Sequence, residues 1–180
     1  MKKNQGFILV ELIIVIAIIS ILSLGTALSV GLLGYGNAKS ATGRIATMLD
    51  KVRVENMTKK EQYYLVIYKE NKDYYLSVQT LKDGIKTKTK EEKLKLKKGK
   101  ISFLDTRGNL YYVSSDSSES NVKEELVVTY TKDTGSLMDT RVFSGSLLGE
   151  EEIVRTIFVE CNNISYKIHL VEATGKHYVD

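Results

Sequence analysis

After Glu11 no charged residue occurs until Lys39, which leaves 27 uncharged positions from Leu12 to Ala38. Nothing else in the 180 residues limits the fold as much. A helix rises about 1.5 Å per residue, so about 20 apolar residues cross a bilayer core. The stretch from Phe7 to about Leu33 meets that length. Lys2 and Lys3 precede it, and the positive-inside tendency then keeps the N-terminus cytoplasmic and sends the rest of the chain outward.

Length and orientation alone fit several segments. A secretory signal peptide has a basic start, an apolar stretch of about 7–15 residues and a small-residue cleavage site. This stretch is longer and carries a carboxylate near its start. A plain single-pass anchor fits the length but leaves Glu11 unexplained. A carboxylate in a membrane helix costs about 2.5–3.5 kcal/mol on insertion scales, so such residues usually have a partner.

Lys2-Lys3-Asn4-Gln5-Gly6 followed by Phe7-Ile8-Leu9-Val10-Glu11-Leu12 accounts for both Gly6 and Glu11. This segment resembles the class III signal of type IV prepilins and type II secretion pseudopilins. The resemblance implies cleavage after Gly6 by a prepilin peptidase, N-methylation of the new terminal residue Phe7, and retention of the apolar helix. Glu11 is then the fifth residue of the processed chain and the one implied in filament assembly. The new amine on Phe7 needs a counter-charge in hydrocarbon, and the carboxylate of Glu11, from a neighbour or from the same chain, supplies one. Many family members carry a proline at the place of Leu28. Here Gly25, Gly31, Gly34 and Gly36 weaken the helix instead, and whether it breaks stays open.

From Asn37 the chain turns polar while helical spacing continues. Ile45, Met48, Leu49 and Val52 form an apolar stripe, which predicts an amphipathic continuation to about Met57 packed under a sheet. Beyond Lys59-Lys60 the pattern changes to short β-branched and aromatic runs. Strands are expected at 63–68, 74–78, 84–89, 92–97, 100–104, 110–113, 125–131, 140–143, 153–160 and 164–172, with turns between them. No internal repeat stands out. The expected organisation is a leader (residues 1–6), a transmembrane and assembly helix (7–36), an amphipathic continuation (37–58) and a β-rich soluble domain (59–180). The fold class is α+β: one long N-terminal helix packed on an antiparallel sheet, as the resemblance to pilins implies. The ending Ile164–Leu170 followed by Ala173-Thr174-Gly175-Lys176 is similar to that of H-type minor pseudopilins.

Chemistry-bearing motifs are sparse. Asp133-Thr134-Gly135 has the tripeptide of aspartic proteases but no second copy, so it reads as a turn. Cys161, His169 and His177 make neither a triad nor a metal cluster and read as packing or surface residues. Asn56-Met57-Thr58 and Asn163-Ile164-Ser165 match the glycosylation acceptor, a pattern common by chance. No catalytic residue, cofactor or metal site is expected, and the chain is read as no enzyme.

Charge is unevenly spread. Residues 82–100 hold nine lysines against three acids, whereas residues 101–180 hold seven basic and thirteen acidic residues. Lys86, Lys88 and Lys90, then Lys93, Lys95 and Lys97, alternate along the chain, so one face of a hairpin is expected to carry a lysine row. Such a row protects a sheet edge, meets an acidic patch on a neighbouring subunit, or binds a polyanion.

The expectation is a minor pilin or pseudopilin. It sits first in the cell membrane, single-pass, with a cytoplasmic N-terminus and an external C-terminal domain, and then in a filament. The implied partners are other pilins, a prepilin peptidase, an assembly platform with its ATPase, and membrane lipid. The alternatives are a competence pilin that binds DNA, an anchored enzyme, and a tethered binding module that never polymerises.

Overall fold

The computed structural model describes residues 5–83, 85–96, 98–115, 122–138 and 153–180. A single helix, α1 (Gln5–Thr58), runs 54 residues without a break. That corresponds to about 80 Å. The glycines between Gly25 and Gly36 therefore do not interrupt it. A glycine costs about 1 kcal/mol in a helix, but helical turns on either side carry the hydrogen-bond ladder through.

The second half of α1 builds the core. Ala38, Ala41, Ile45, Met48, Leu49 and Val52 are buried at three- and four-residue spacing. The expected stripe is present and starts two turns earlier than its large residues suggest, because alanines at 38 and 41 admit close strand approach. After α1, Asn56 ties the helix end to the first strand. Its amide nitrogen donates to the Tyr63 carbonyl (2.8 Å), and its amide oxygen accepts from the Tyr63 N–H (2.7 Å).

Among the described residues eleven strands follow, in two sheets where one was expected. The strands β1 (Tyr63–Glu70), β2 (Asp73–Lys82) and β3 (Ile85–Leu94) form consecutive hairpins. They join β7 (Glu125–Tyr130) and β8 (Leu137–Met138) in the order β3-β2-β1-β7-β8. The second sheet has the order β11-β10-β9-β4-β5-β6. It comprises β4 (Lys100–Asp105), β5 (Leu110–Val113), β6 (Val122–Lys123), β9 (Val154–Cys161), β10 (Ile164–Leu170) and β11 (His177–Val179). All pairs are antiparallel except β5 with β6, so the architecture is α+β with a mixed second sheet. Both sheets pack on α1, and one apolar cluster joins helix and both sheets.

The chain changes sheet between Leu94 and Lys100. Leu94 and Leu96 are buried there, and Gly99 lies so close to Leu96 and to the Glu160 carbonyl that a Cβ would collide with both. The expected strands at 84–89 and 92–97 are corrected to one strand, β3, with a bulge at Thr89. Val78 pairs with Lys90 while Gln79 pairs with Lys88. The expected strand at 140–143 lies outside the described residues. The short strands β6, β8 and β11 were not expected, because two or three residues carry no periodicity.

A repeat is present after all, in the turns. Thr131-Lys132-Asp133-Thr134-Gly135-Ser136 and Val171-Glu172-Ala173-Thr174-Gly175-Lys176 lie forty positions apart. In each, the first residue's N–H donates to the sixth residue's carbonyl, at 2.8 Å in both. Gly135 and Gly175 share a left-handed φ of 66° and 62°. The two turns touch: Ser136 Oγ donates to the Ala173 carbonyl (2.8 Å), and the Arg53 side chain of α1 donates to the Gly135 carbonyl (3.1 Å).

The strand directions define two ends. Helix α1 enters the domain beside the β1–β2, β3–β4 and β9–β10 connections, as the Tyr35–Tyr166 ring contact and the proximity of Asn37 to Lys93 require. We call this the entry end. The twin turns lie at the far end, beside Arg53.

Candidate functional site

The N-terminal half of α1 carries the predicted processing and assembly residues. Gly6 and Phe7 lie in its first turn. Phe7 and Glu11 are four residues apart, so helical geometry stacks them on one face about one turn from each other. A free amine on Phe7 would sit within reach of a Glu11 carboxylate. Glu11 itself is exposed.

Every residue from Leu9 to Ser23 is exposed, with Leu9 at 61% and Leu22 at 65%. A helix apolar on all sides needs an apolar surrounding, either lipid or other helices. Over the described side chains alone, which within the apolar run extend from Leu9 to Ser23, no helix is long and apolar enough to cross a membrane. Ser20 and Ser23 do not offer free donors. Each hydroxyl bonds back to the carbonyl four residues earlier, at 2.8 and 2.7 Å. That arrangement lets a serine sit in an apolar environment without an unsatisfied group.

The lysine-rich hairpin is the second predicted region. The bulge at Thr89 corrects the expectation of a single row. Lys86, Lys88 and Lys93 pair opposite Leu81, Gln79 and Tyr75 and share the sheet face turned away from α1. Lys90 pairs opposite the core residue Val78 and faces the other way. The three outer lysines are engaged with carboxylates: Lys86 with Glu125 (3.2 Å), Lys88 with Glu91 (2.5 Å) and Lys93 with Asp73 (2.6 Å). Glu91 and then Tyr68 hold the Lys88 ammonium charged above its usual range, and Lys88 in turn lowers Glu91. Tyr68 also donates to Glu91 and stacks on Tyr75 at 5.5 Å. A phosphate arriving at this face must displace carboxylates already in contact. Lys95 is exposed and lies at the entry end, and Lys97 lies outside the described residues.

The other predicted residues fall in different places. Cys161 is buried. His169 meets Asp180 at 3.2 Å and stacks on Tyr178, whereas His177 faces Asp50 of α1 at 3.7 Å. Among the described residues no three His, Cys, Asp or Glu side chains are grouped to hold a metal. Asn56 is fully buried and hydrogen-bonded, so its sequon is a packing residue in the folded chain, while Asn163 stands exposed in the β9–β10 turn. Asp105 was missed by sequence reading. It caps the β4–β5 turn, accepting from Arg107 N–H (2.9 Å), Asn109 N–H (2.8 Å) and the Asn109 amide (2.9 Å).

The basic leader, Gly6, Phe7 and Glu11 ahead of an apolar helix form a pattern that a family model recognises. Residues 1–27 match the prokaryotic N-terminal methylation motif, and the chain carries the type IV prepilin signal. No curated protein and no solved structure matches the chain.

Proposed function

We propose that the chain is a minor pilin or pseudopilin, a structural subunit without catalytic activity. It is inserted in the cell membrane with its N-terminus cytoplasmic, cut after Gly6, methylated on Phe7 and drawn into a filament by helix packing. The observation that carries this reading is the unbroken α1. A prepilin signal at its head continues through an exposed apolar half into the helix that forms the core of the domain. Such a helix can enter a helical bundle without unfolding the domain attached to it. The strand, Thr174-Gly175 turn and closing β11 support the H-type subclass. An assembly platform with its ATPase supplies the work of extraction.

Intact mass and N-terminal sequencing of the protein from its native membranes test the reading. The expected chain begins at Phe7 and bears a methyl group on its amine. A chain still beginning at Met1 in cells with an active prepilin peptidase overturns it. Glu11→Val is expected to be processed but to leave filaments at least about tenfold depleted, since a charge pair in low dielectric fixes register.

A further inference from the structure

The entry end of the domain collects lysines whose charge no described carboxylate takes up. Lys72 stands in the β1–β2 turn, and Lys95, Lys98 and Lys100 in and around the β3–β4 connection. All four are exposed, and among the described residues none has an ion-pair partner within 4 Å. This contrasts with Lys86, Lys88 and Lys93. Two buried leucines produce the projection. Leu94 and Leu96 point into the core, and the Leu96 N–H donates to the Leu94 carbonyl (2.9 Å), so Lys95 between them and Lys98 beyond them face out. The exposed acids Glu70 and Glu160 lie at the same end, Glu160 in register opposite Lys100, and two acids do not balance four lysines.

The position of this end matters as much as its charge. A hollow of about 450 Å³ lined by Asn37, Asp73, Lys93, Leu94 and Lys95 sets the β3–β4 connection directly beside α1. The uncharged run ends at Ala38, and Ala38 is already a fully buried core residue. No spacer therefore separates the apolar helix from the basic loops. The exposed Tyr35 ring, 6.1 Å from that of Tyr166, lies at the same level. Tyrosines favour the membrane–water boundary, and lysines there lie within one Debye length of headgroup phosphates.

We infer that the entry end is a basic collar that seats on anionic phospholipid headgroups around the point where α1 leaves the bilayer. The collar holds the unassembled subunit upright at the surface. The inference rests on the reading of α1 as a membrane-spanning helix. A lysine near an anionic surface changes occupancy by about fivefold, so four acting together produce an effect well above measurement error.

The test uses the full chain reconstituted in vesicles of phosphatidylcholine alone and of phosphatidylcholine with one-third phosphatidylglycerol, read by hydrogen exchange and mass spectrometry. Protection of the apolar half of α1 in both compositions reports insertion. The peptide across the β3–β4 connection is expected to exchange about tenfold more slowly with phosphatidylglycerol present, and to lose that difference at high salt. The variant Lys72→Gln, Lys95→Gln, Lys98→Gln, Lys100→Gln should lose it while keeping α1 protected and the far-end turns unchanged. An inserted helix with identical loop exchange in both lipids overturns the collar. An unprotected helix in both overturns the membrane reading instead. Duplex DNA that protects the same loops in phosphatidylcholine vesicles, with no response to phosphatidylglycerol, assigns the lysines to nucleic acid and also overturns it.

Discussion

Three residues hold connections that strand pairing alone would not. Asn56 satisfies both the N–H and the carbonyl of Tyr63 and also donates to Thr129 Oγ1 at 3.2 Å. Asn56→Ala leaves the buried Tyr63 N–H without its acceptor, while the Tyr63 carbonyl keeps the Thr129 hydroxyl (2.6 Å), and should cost about 1–3 kcal/mol in chemical unfolding of the detergent-solubilised chain, with an unchanged denaturant slope. Gly175→Ala should cost about 1–3 kcal/mol, because φ is left-handed and the new Cβ meets the Gly135 carbonyl. Asp105 supplies a pH signature. Burial opposes its charge, but hydrogen bonds from the Asn109 side chain, then from the Asn109, Arg107 and Gly108 N–H groups, hold its pKa below the usual carboxylate range. Its folded pKa is depressed, so its contribution is complete above the unfolded value near 4 and fades as pH falls through the lower folded value. Unfolding free energy measured from pH 7 to pH 2 should decline in that acid range, and Asp105→Asn should flatten the decline. The sequence disclosed none of these roles. Asn56 reads as a sequon and Asp105 as a loop residue, since each acts on backbone that only folding brings near.

Among the elements, the helix was the most legible and β3 the least. Twenty-seven uncharged positions and the Ile45–Val52 stripe are long periodic signals, and α1 follows both. Its passage through four glycines was not legible, because a helix-weakening residue does not say whether its neighbours compensate. In β3 the alternation of lysines suggested two strands and one charged face. The Thr89 bulge joins the strands and redistributes the charges, and one extra residue in a strand leaves no mark in composition. Thr89 pairs with no residue of β2 in the ladder, although its hydroxyl donates to the Val78 carbonyl at 2.9 Å. Deleting Thr89 should therefore leave both flanking registers intact and shift stability by less than about 1 kcal/mol. Deleting Lys88 instead lets Thr89 take its place opposite Gln79, but it removes the ammonium that meets Glu91 and Tyr68, and should cost more. Unfolding midpoints of the two deletions make the comparison.

At the scale of the molecule, the last strand closes what the first helix opens. Asp180 exchanges two backbone hydrogen bonds with Lys167 (3.0 and 2.9 Å), and His177 reaches Asp50 on α1. Removing residues 177–180 uncovers the edge of β10 beside the core residues Ile168 and Leu170. It should lower stability by about 2 kcal/mol or more and speed proteolysis at the far-end turns. Local strand patterns foretold most strands, but not their division into two sheets. That division depends on β4 finding β9, with Lys100 opposite Glu160. This pairing also sets a timetable. The hairpins β1–β2 and β2–β3 close as soon as they are made. One side of β4 must wait for about sixty further residues. At a synthesis rate of about 5–20 residues per second that delay is several seconds. During it the flank holding Ile101 and Phe103 has no neighbour on that side. The vulnerable moment in this chain's birth thus belongs to the middle of the domain, while β4 waits for a partner that has yet to be made.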